Sequence, residues 1–353
     1  AVSIPKSIED IKKLIAFASN EKTSIIPRTA GTSLAGQVVG PGIVVDVSKH
    51  FTQIIELSKE EKWVRVQPGV IRDELNMFLK PHGLFFGPET STANRAMIGG
   101  MVGNNSCGSN SVVYRSVREH LLSVKAILSD GTDTEFKALN VDEFHNKCEG
   151  NTLEAEIYRS VRKMLSNYEN QAEIRKEFPK RTIERRNTGF AVDELLETAP
   201  FTAGNEDFNF CKLIAGSEGT LAFLTEIKLN VVPLPPKEVG LLCVHFNTID
   251  ESLRANLIAL KHKPSACELI DHYILECTKE NKEQAKNRFF VQGDPGAILV
   301  VEIARETKAE VEKICSEIEK EMKAAGLGYH FPVLFGDDTK KIWSLRKAGL
   351  GLL

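Results

Sequence analysis

Residues 98–108 read IGGMVGNNSCG, and this stretch decides how the middle of the chain is interpreted. Four of its eleven residues are glycine, which lets the backbone approach a planar group closely because no Cβ intervenes. A tight buried turn is the alternative interpretation, but a merely flexible loop would carry more charge and would not contain Met101 and Val102. We call this stretch the second loop, and its composition indicates a backbone-lined site for a flat ligand.

Two further segments of short side chains flank the second loop along the chain. The first loop, residues 28–33, reads RTAGTS after a predicted strand, and the third loop, residues 216–221, reads GSEGTL. In the first loop, successive backbone N–H groups can point at an anion, and Thr32 and Ser33 add hydroxyl donors. Taken alone, each loop is also typical of an ordinary turn. Neither a G-x-G-x-x-G nor a G-x-x-x-x-G-K-[ST] motif occurs, so these loops are the candidates for phosphate binding.

The overall composition is that of an ordinary globular protein. The chain has 353 residues, which predicts about two domains, and its net charge of −3 gives no reason to expect nucleic-acid binding. Its seven cysteines are an odd number, are scattered and form no C-x-x-C pair, so the sequence predicts neither a disulfide framework nor a metal site. This cysteine usage favours the reducing cytoplasm, with a peripheral position at the inner face of a membrane left open.

The order of predicted strands and helices indicates an α+β protein with a boundary at the proline-rich run 233–236. Before it we expect two subdomains, residues 1–80 and 81–236. After it, residues 237–353 alternate as β-α-β-β-α-β, which predicts a ferredoxin-like antiparallel sheet with helices on one face.

The three loops, taken together and in this order, resemble the FAD-binding loops of the vanillyl-alcohol-oxidase/p-cresol-methylhydroxylase superfamily of FAD-linked oxidoreductases. Residues 40–46 (GPGIVVD) and 87–92 (GPETST) are also similar to family segments, so the resemblance covers about residues 5–235. The D-lactate dehydrogenase/glycolate oxidase-like branch is the most similar. The resemblance implies a p-cresol-methylhydroxylase-type FAD-binding domain of two α+β subdomains, followed by a substrate cap domain. Thr29 and Ala30 depart from the family, which has glycines there.

The resemblance also implies which residues contact FAD. Some relatives carry a flavin-linking histidine where this chain has Thr32, so we expect non-covalent FAD, with Cys107 as a packing thiol rather than a tether. The residues expected to contact FAD are Arg28, Thr29, Ala30, Gly31, Thr32, Ser33, Pro88, Glu89, Thr90, Thr92, Ile98, Gly99, Gly100, Asn104, Asn105, Ser106, Gly108, Gly216, Glu218, Gly219 and Leu221.

Arg346 is the candidate for binding the substrate carboxylate, because relatives carry such an arginine in a similar Trp-x-x-Arg setting after a tryptophan like Trp343. A surface helix arginine is the alternative interpretation. The eight histidines show no H-x₃-H spacing, so no metal site and no general base is assigned. Because the chain ends in an apolar stretch without a polar tail, we expect a piece of a longer protein, with the base and any metal site beyond residue 353. The stretch 343–353 and the second loop resemble members fused to an iron–sulfur domain.

The resemblance implies an FAD-dependent dehydrogenase that oxidises a small D-2-hydroxy acid, such as D-lactate, glycolate or D-2-hydroxyglutarate. Electrons would pass to a quinone, a cytochrome or an iron–sulfur domain or subunit. Two alternatives stay open: an enolpyruvyl-sugar reductase that uses NADPH, and a flavin-binding subunit that only relays electrons. The basic run 180–187 is interpreted as a solvated face, with a docking patch for the acceptor or a lid as the alternatives.

Overall fold

The computed structural model describes residues 1–183, 185–186 and 189–352, with side chains described up to residue 349. Contacts between Cα atoms divide the chain into two compact units. The first unit comprises Ala1–Gly108 and Arg115–Leu234, and the second, which we call the cap, comprises Ser109–Tyr114 and Pro235–Leu353. The three domain ranges expected from the sequence stay a prediction.

The chain contains both helices and strands throughout its length, in keeping with the α+β class. The strands are β1 (Val2–Ser3), β2 (Ile25–Arg28), β3 (Ile43–Asp46), β4 (Ile54–Ser58), β5 (Trp63–Val66), β6 (Leu84–Phe85), β7 (Leu121–Ile127), β8 (Asp133–Phe136), β9 (Phe223–Asn230), β10 (Val232–Pro233), β11 (Glu238–Phe246), β12 (Ala266–Asp271), β13 (Ala297–Arg305) and β14 (Val333–Phe335). The helices are α1 (Ile8–Asn20), α2 (Arg72–Leu79), α3 (Ile98–Gly103), α4 (Ser111–Tyr114), α5 (Val141–Lys147), α6 (Leu153–Leu165), α7 (Tyr168–Glu177), α8 (Val192–Leu196), α9 (Cys211–Ile214), α10 (Ile249–Lys261), α11 (His272–Glu280), α12 (Lys308–Ala324) and α13 (Asp337–Leu352).

The first unit is built on two main sheets. A parallel sheet has the strand order β1-β3-β2, and an antiparallel sheet has the order β4-β5-β9-β7-β8. Strand β9 buries every second residue, because alternation of apolar and polar residues covers one face of a sheet and leaves the other to water. Helix α1 is capped by Ser7, whose side chain accepts from the backbone N–H of Asp10 in a capping box.

The core of the first unit contains a group of aromatic side chains beside the five-stranded sheet. Phe144 and Phe208 have ring centroids 4.6 Å apart, and Tyr158 and Phe210 lie 4.8 Å apart. All four rings are buried. Aromatic pairs at such distances add to the stability gained from burial, so this core holds the strands that carry the loops in place.

The cap confirms the ferredoxin-like prediction in its topology. Its sheet has the strand order β12-β13-β11-β14, and every neighbouring pair is antiparallel. The expectation of helices on one face is wrong. Helices α10 and α12 pack on one face, and α11 and α13 pack on the other. The reason is visible in the sequence, because the strand residues 241–246 (LLCVHF) form a continuous apolar run, which is typical of a strand covered on both faces.

The described residues of the basic run 180–187 are mostly exposed, as the interpretation of a solvated face expects, and two of its arginines form ion pairs. Arg181 Nη1 lies 2.7 Å from Glu194 Oε1, and Arg186 contacts both Asp193 and Glu194 of α8. Asp193 is buried, so its charge requires a partner. Two positions of the run, 184 and 187, lie outside the described residues.

Candidate functional site

The second loop begins as a short helix, α3, and not as the loop expected from sequence. Gly99 explains this, because its N–H donates to Pro68 O at 2.8 Å and a Cβ on it would lie 2.5 Å from Pro68 Cβ. The buried side chains of Ile98, Met101 and Val102 anchor the helix in the core. Glycine at position 99 therefore serves a close approach between two backbone segments.

The three loops predicted to surround one ligand do meet in space. A Cβ on Gly100 of the second loop would lie 2.7 Å from Thr29 Oγ1 of the first loop. Between the second and third loops, the backbone N–H of Glu218 donates to Gly103 O at 2.9 Å. The third loop also approaches the first. A Cβ on Gly219 would lie 3.4 Å from the side chain of Pro27, which precedes the first loop. The backbones of the three loops thus line one common region of the first unit.

The first loop presents a buried donor without a partner. Arg28 Nε is buried and has no hydrogen-bond acceptor among the described residues. The nearest carboxylate oxygen, Asp46 Oδ2, is 4.0 Å away, which is too far for a hydrogen bond. Gly31 has a φ of +65°, and a Cβ there would lie 3.0 Å from Arg28 Nε. An Arg28 Nε without an acceptor, on a side chain that is 40% exposed and lies beside a turn without side chains, can donate to a diphosphate, so the residues present fit the FAD expected here.

The second and third loops are joined by Arg118, a residue that sequence reasoning missed. Its N–H donates to Asn105 Oδ1 at 2.9 Å, its Nε to Lys212 O at 2.9 Å and its Nη2 to Ala215 O at 2.8 Å. Arg118 is only 7% exposed, and burial lowers the pKa of its guanidinium. Its Nη2 would lie 3.1 Å from a Cβ on Gly216. Arg118 therefore connects the second loop to the segment that immediately precedes the third loop and holds the two together.

Two non-glycine residues of these loops adopt left-handed backbone conformations. Asn105 has a φ of 48° and is buried, and Glu218 has a φ of 52°. Burial raises the pKa of the Glu218 carboxyl, and Gln37 opposes the shift by a hydrogen bond. Such conformations are sparsely populated and cluster at functional sites. The two conformations flank the Arg118 contact, where the second and third loops meet.

The segment 87–92 lies against the end of the second loop. A Cβ on Gly108 would lie 2.7 Å from Glu89 O, and Arg72 Nε donates to Pro88 O at 3.1 Å. The structure thus brings this segment to the three loops, as the sequence predicts. The other residues expected to contact FAD also lie in the first unit. They are Ala30, Thr32, Ser33, Thr90, Thr92, Asn104, Ser106 and Leu221.

A cavity of about 300 Å³ adjoins the third loop within the first unit. Its lining combines apolar residues, such as Ile25, Ile127 and Leu221, with polar ones, such as Ser19 and Thr23.

The cap places Arg346 in an ion pair that the sequence did not reveal. Arg346 lies on α13, and its Nε and Nη2 both donate to Glu268 Oε2, at 3.0 and 2.6 Å. One helical turn earlier, Trp343 Nε1 donates to Glu302 Oε2 at 3.0 Å. The side chain of Arg346 is 37% exposed, so the pair leaves part of the guanidinium accessible. The substrate-binding role of Arg346 stays a prediction.

One group of metal-ligand residue types occurs among the described residues. The ligand atoms of His272, Glu276 and Asp294 lie within 4.8 Å of one another. Lys279 contacts Glu276, and its Nζ is 3.8 Å from Asp294 Oδ1. The lysine ammonium already stands where a cation would balance these carboxylates, so the group is interpreted as a surface ion-pair network.

Across the part of the chain that the structure describes, no helix combines the length and the apolar composition needed to span a bilayer.

Comparisons with known proteins agree with this architecture. Residues 1–136 match the FAD binding domain family, and residues 235–353 match the C-terminal domain of FAD linked oxidases. The chain is 32% identical to the D-2-hydroxyglutarate dehydrogenase of Escherichia coli (strain K12), over 100% of this chain and 35% of that protein. It is 26% identical to the mitochondrial D-lactate dehydrogenase [cytochrome] of Kluyveromyces lactis, over 99% of this chain and 50% of that protein.

A solved structure shares the fold. That of alkyldihydroxyacetonephosphate synthase matches with a TM-score of 0.62 and 16% sequence identity, over 99% of this chain and 58% of that one. The chain spans about a third of the length of the D-2-hydroxyglutarate dehydrogenases it matches. The two family matches, the relatives and the shared fold agree with the loops described above. The chain belongs to the FAD-linked oxidoreductases, and its relatives include D-2-hydroxyglutarate dehydrogenases, D-lactate dehydrogenases and a glycolate oxidase subunit.

Proposed function

We propose that the protein containing this chain oxidises a small D-2-hydroxy acid to the 2-oxo acid, with FAD as its non-covalent cofactor. The substrate class is that of D-lactate, glycolate and D-2-hydroxyglutarate. The observation that carries the proposal is a FAD linked oxidase C-terminal domain that holds an arginine, Arg346, with part of its guanidinium exposed. Relatives named for D-2-hydroxyglutarate and D-lactate dehydrogenation support the same substrate class.

The first unit would hold FAD through its loops. Arg28 Nε and the backbone N–H groups of the first loop would meet the diphosphate, and the glycine-lined second and third loops would meet the flat parts of the cofactor. Thr32 stands at the position of the linking histidine of some relatives, which supports non-covalent binding.

The cap would bind and orient the acid. A guanidinium fork meets a carboxylate through two parallel hydrogen bonds, which fixes direction as well as charge. When bound, the flavin accepts the hydride from the substrate carbon. The proton of the substrate hydroxyl must pass to a general base, to which we assign no residue of this chain. We further propose a quinone, cytochrome or iron–sulfur acceptor and a cytoplasmic location.

The test is anaerobic reduction of the flavin in the full-length holoprotein. D-lactate, glycolate and D-2-hydroxyglutarate are added separately, each chiral acid with its L-enantiomer as the matched control. We expect the visible absorbance of the oxidised flavin to be lost with one of the D-acids or glycolate, and not with the L-acids. Loss of absorbance with NADPH alone would favour the enolpyruvyl-sugar reductase, and no loss with any donor would favour an electron-relay subunit.

A further inference from the structure

Two carboxylates on neighbouring strands of the cap face the helix that carries Arg346. Strands β12 and β13 pair so that Ala266 lies opposite Glu302 and Glu268 lies opposite Val300. Residues opposite each other and residues two apart share a face of a sheet. Val300 packs with Ile342 of α13 in one buried cluster, so Glu268 and Glu302 both lie on the α13 face.

Each carboxylate binds one residue of the Trp-x-x-Arg pair. Glu302 Oε2 accepts from Trp343 Nε1, and Glu268 Oε2 accepts from two nitrogens of Arg346. Residues three apart lie on the same side of a helix, so the two contacts act together. They determine the rotation of α13 on the sheet as well as the position of the guanidinium.

The geometry of the ion pair separates the two edges of the Arg346 guanidinium. Both hydrogen bonds to Glu268 use the side edge, formed by Nε and Nη2. The end edge, formed by Nη1 and the second N–H of Nη2, makes no bond to any residue that the structure describes with side chains. A second carboxylate can bind bidentately only at this end edge. Because Glu268 occupies the side edge of Arg346, a ligand carboxylate can bind only at the end edge.

Glu302 is itself held from a second direction. Its Oε1 accepts from Ser265 Oγ at 2.7 Å and from Asn110 Nδ2 at 3.3 Å. Asn110 Nδ2 also donates to Ser265 O at 3.0 Å. Asn110 lies two residues after the second loop in sequence and belongs to the cap by its contacts. With both oxygens bonded, Glu302 offers Trp343 a fixed acceptor.

We propose that Glu268 and Glu302 are positioning residues that hold the end edge of Arg346 towards the substrate carboxylate. The inference rests on the proposed function, because it takes Arg346 as the carboxylate-binding residue. An arginine side chain loses several rotatable bonds when it is ordered, and a guanidinium that is already ordered binds its ligand at a smaller entropic cost. The two glutamates thus act through Arg346 and Trp343 and do not touch the substrate themselves.

The experiment compares Glu268→Ala with Glu268→Gln in the full-length holoprotein, with the acid that reduces the wild-type flavin. We expect Glu268→Ala to raise KM about tenfold and to change kcat by less than about threefold, because it removes orientation of the bound acid. Glu268→Gln keeps an acceptor oxygen in the same place, so its KM should stay within about threefold of wild type. The dissociation constant of the 2-oxo acid product, measured by the change in flavin absorbance, should follow KM.

A double-mutant cycle distinguishes positioning from a merely structural role. Arg346→Ala alone should raise KM more than Glu268→Ala, and the double variant should raise it no further than Arg346→Ala. The matched control is Asp250→Ala, which removes the carboxylate of an exposed ion pair with Arg254 on α10 and should leave KM unchanged. FAD content and unfolding temperature are recorded for every variant.

The outcomes separate the inference from the proposed function. A wild-type protein whose flavin no hydroxy acid reduces overturns the proposed function and the inference with it. An active wild type with an unchanged KM in Glu268→Ala, or with effects that add fully in the double variant, overturns the inference alone. If Glu268→Ala is insoluble, Glu268→Asp takes its place, and it should raise KM at least about threefold because the shorter side chain moves the carboxylate. An unchanged KM in Glu268→Asp likewise overturns the inference.

Discussion

The loops of the first unit and the Arg346 region of the cap, both of which we propose to bind anions, are built by different means. The loops use backbone groups, glycines and one buried arginine, Arg118, behind them. The cap uses side-chain charges, with Arg346 held by Glu268 and Trp343 held by Glu302. The difference teaches that the first region is broken by adding atoms or by removing the arginine behind it. The second is broken by removing the side-chain acceptor that holds Arg346.

The largest effect is expected from Arg118→Met. The substitution leaves the carbonyls of Lys212 and Ala215 without their buried donor, and each such loss costs about 1–3 kcal/mol. We therefore expect the free energy of unfolding of the first unit to fall by about 3 kcal/mol, and FAD affinity to fall with it. Urea unfolding followed by the fluorescence of Trp63 in a Trp343→Phe background measures this. Arg175→Met, at an exposed arginine, should change stability by less than about 0.5 kcal/mol.

A second prediction adds one methyl group at each of two glycines of α3. In Gly99→Ala the new Cβ meets Pro68 at 2.5 Å, so we expect overpacking to cost about 2 kcal/mol. In Gly103→Ala the nearest atom, Gly219 N, is 3.6 Å away, an ordinary contact, so the variant should be neutral or slightly stabilised. Thermal unfolding of both variants measures the contrast. Equal destabilisation by the two substitutions would contradict the close-approach explanation.

The stability of the cap should fall in mild acid because of His245, an effect that we do not expect for the loops. Burial lowers the pKa of His245 to about 4, and its two ring nitrogens bond to Cys243 O and to the N–H of Gln292. Because the folded-state pKa lies below the unfolded value of about 6.5, the unfolded chain binds more protons between these values. Stability is therefore full above about pH 6.5 and falls by about 1.5–2 kcal/mol between pH 7 and pH 5.

His245→Gln should remove most of this pH dependence, whatever it does to stability at pH 7. The measurement is urea unfolding of the cap at pH 5 and pH 7, followed by Trp343 fluorescence in a Trp63→Phe background. An unchanged pH dependence in His245→Gln would assign the effect to other groups.

The smallest effect is expected at the N-terminal end of α12, which takes no part in the Arg346 contacts. The side chain of Thr307 caps α12 by accepting from the N–H of Glu310, whose carboxylate accepts from the N–H of Thr307. Thr307→Ala should lower cap stability by about 1 kcal/mol, and Thr307→Ser should retain most of it. Both should leave FAD affinity unchanged, which is measured by titration with FAD.

The sequence predicted the three loops of the first unit better than the Arg346 region of the cap, for a physical reason. Short side chains at Gly31, Gly100 and Gly219 are visible in the sequence itself, because the feature needed is the absence of atoms. The partner of Arg346 was not predictable, because Glu268 lies 78 residues earlier and reaches it only through the packing of α13 on the sheet. The partners of Arg118 are backbone carbonyls, which leave no trace in residue types.

Two elements were wrong in the prediction for reasons that the structure explains. The start of the second loop is helical, because Gly99 allows α3 to lie on Pro68 while its apolar residues reach the core. The cap sheet is covered on both faces, as the continuous apolar run of β11 could have indicated. The strand order of the cap followed correctly from the order of its elements.

The central claim, that the three loops surround one FAD, is tested most directly by identifying the flavin that the purified protein releases on heat denaturation. The account predicts about one equivalent of flavin per chain, recovered in the supernatant, with the chromatographic mobility of FAD and not of FMN. Release of FMN, a flavin that stays with the precipitated protein, or a protein that neither carries FAD nor takes it up on titration would contradict it.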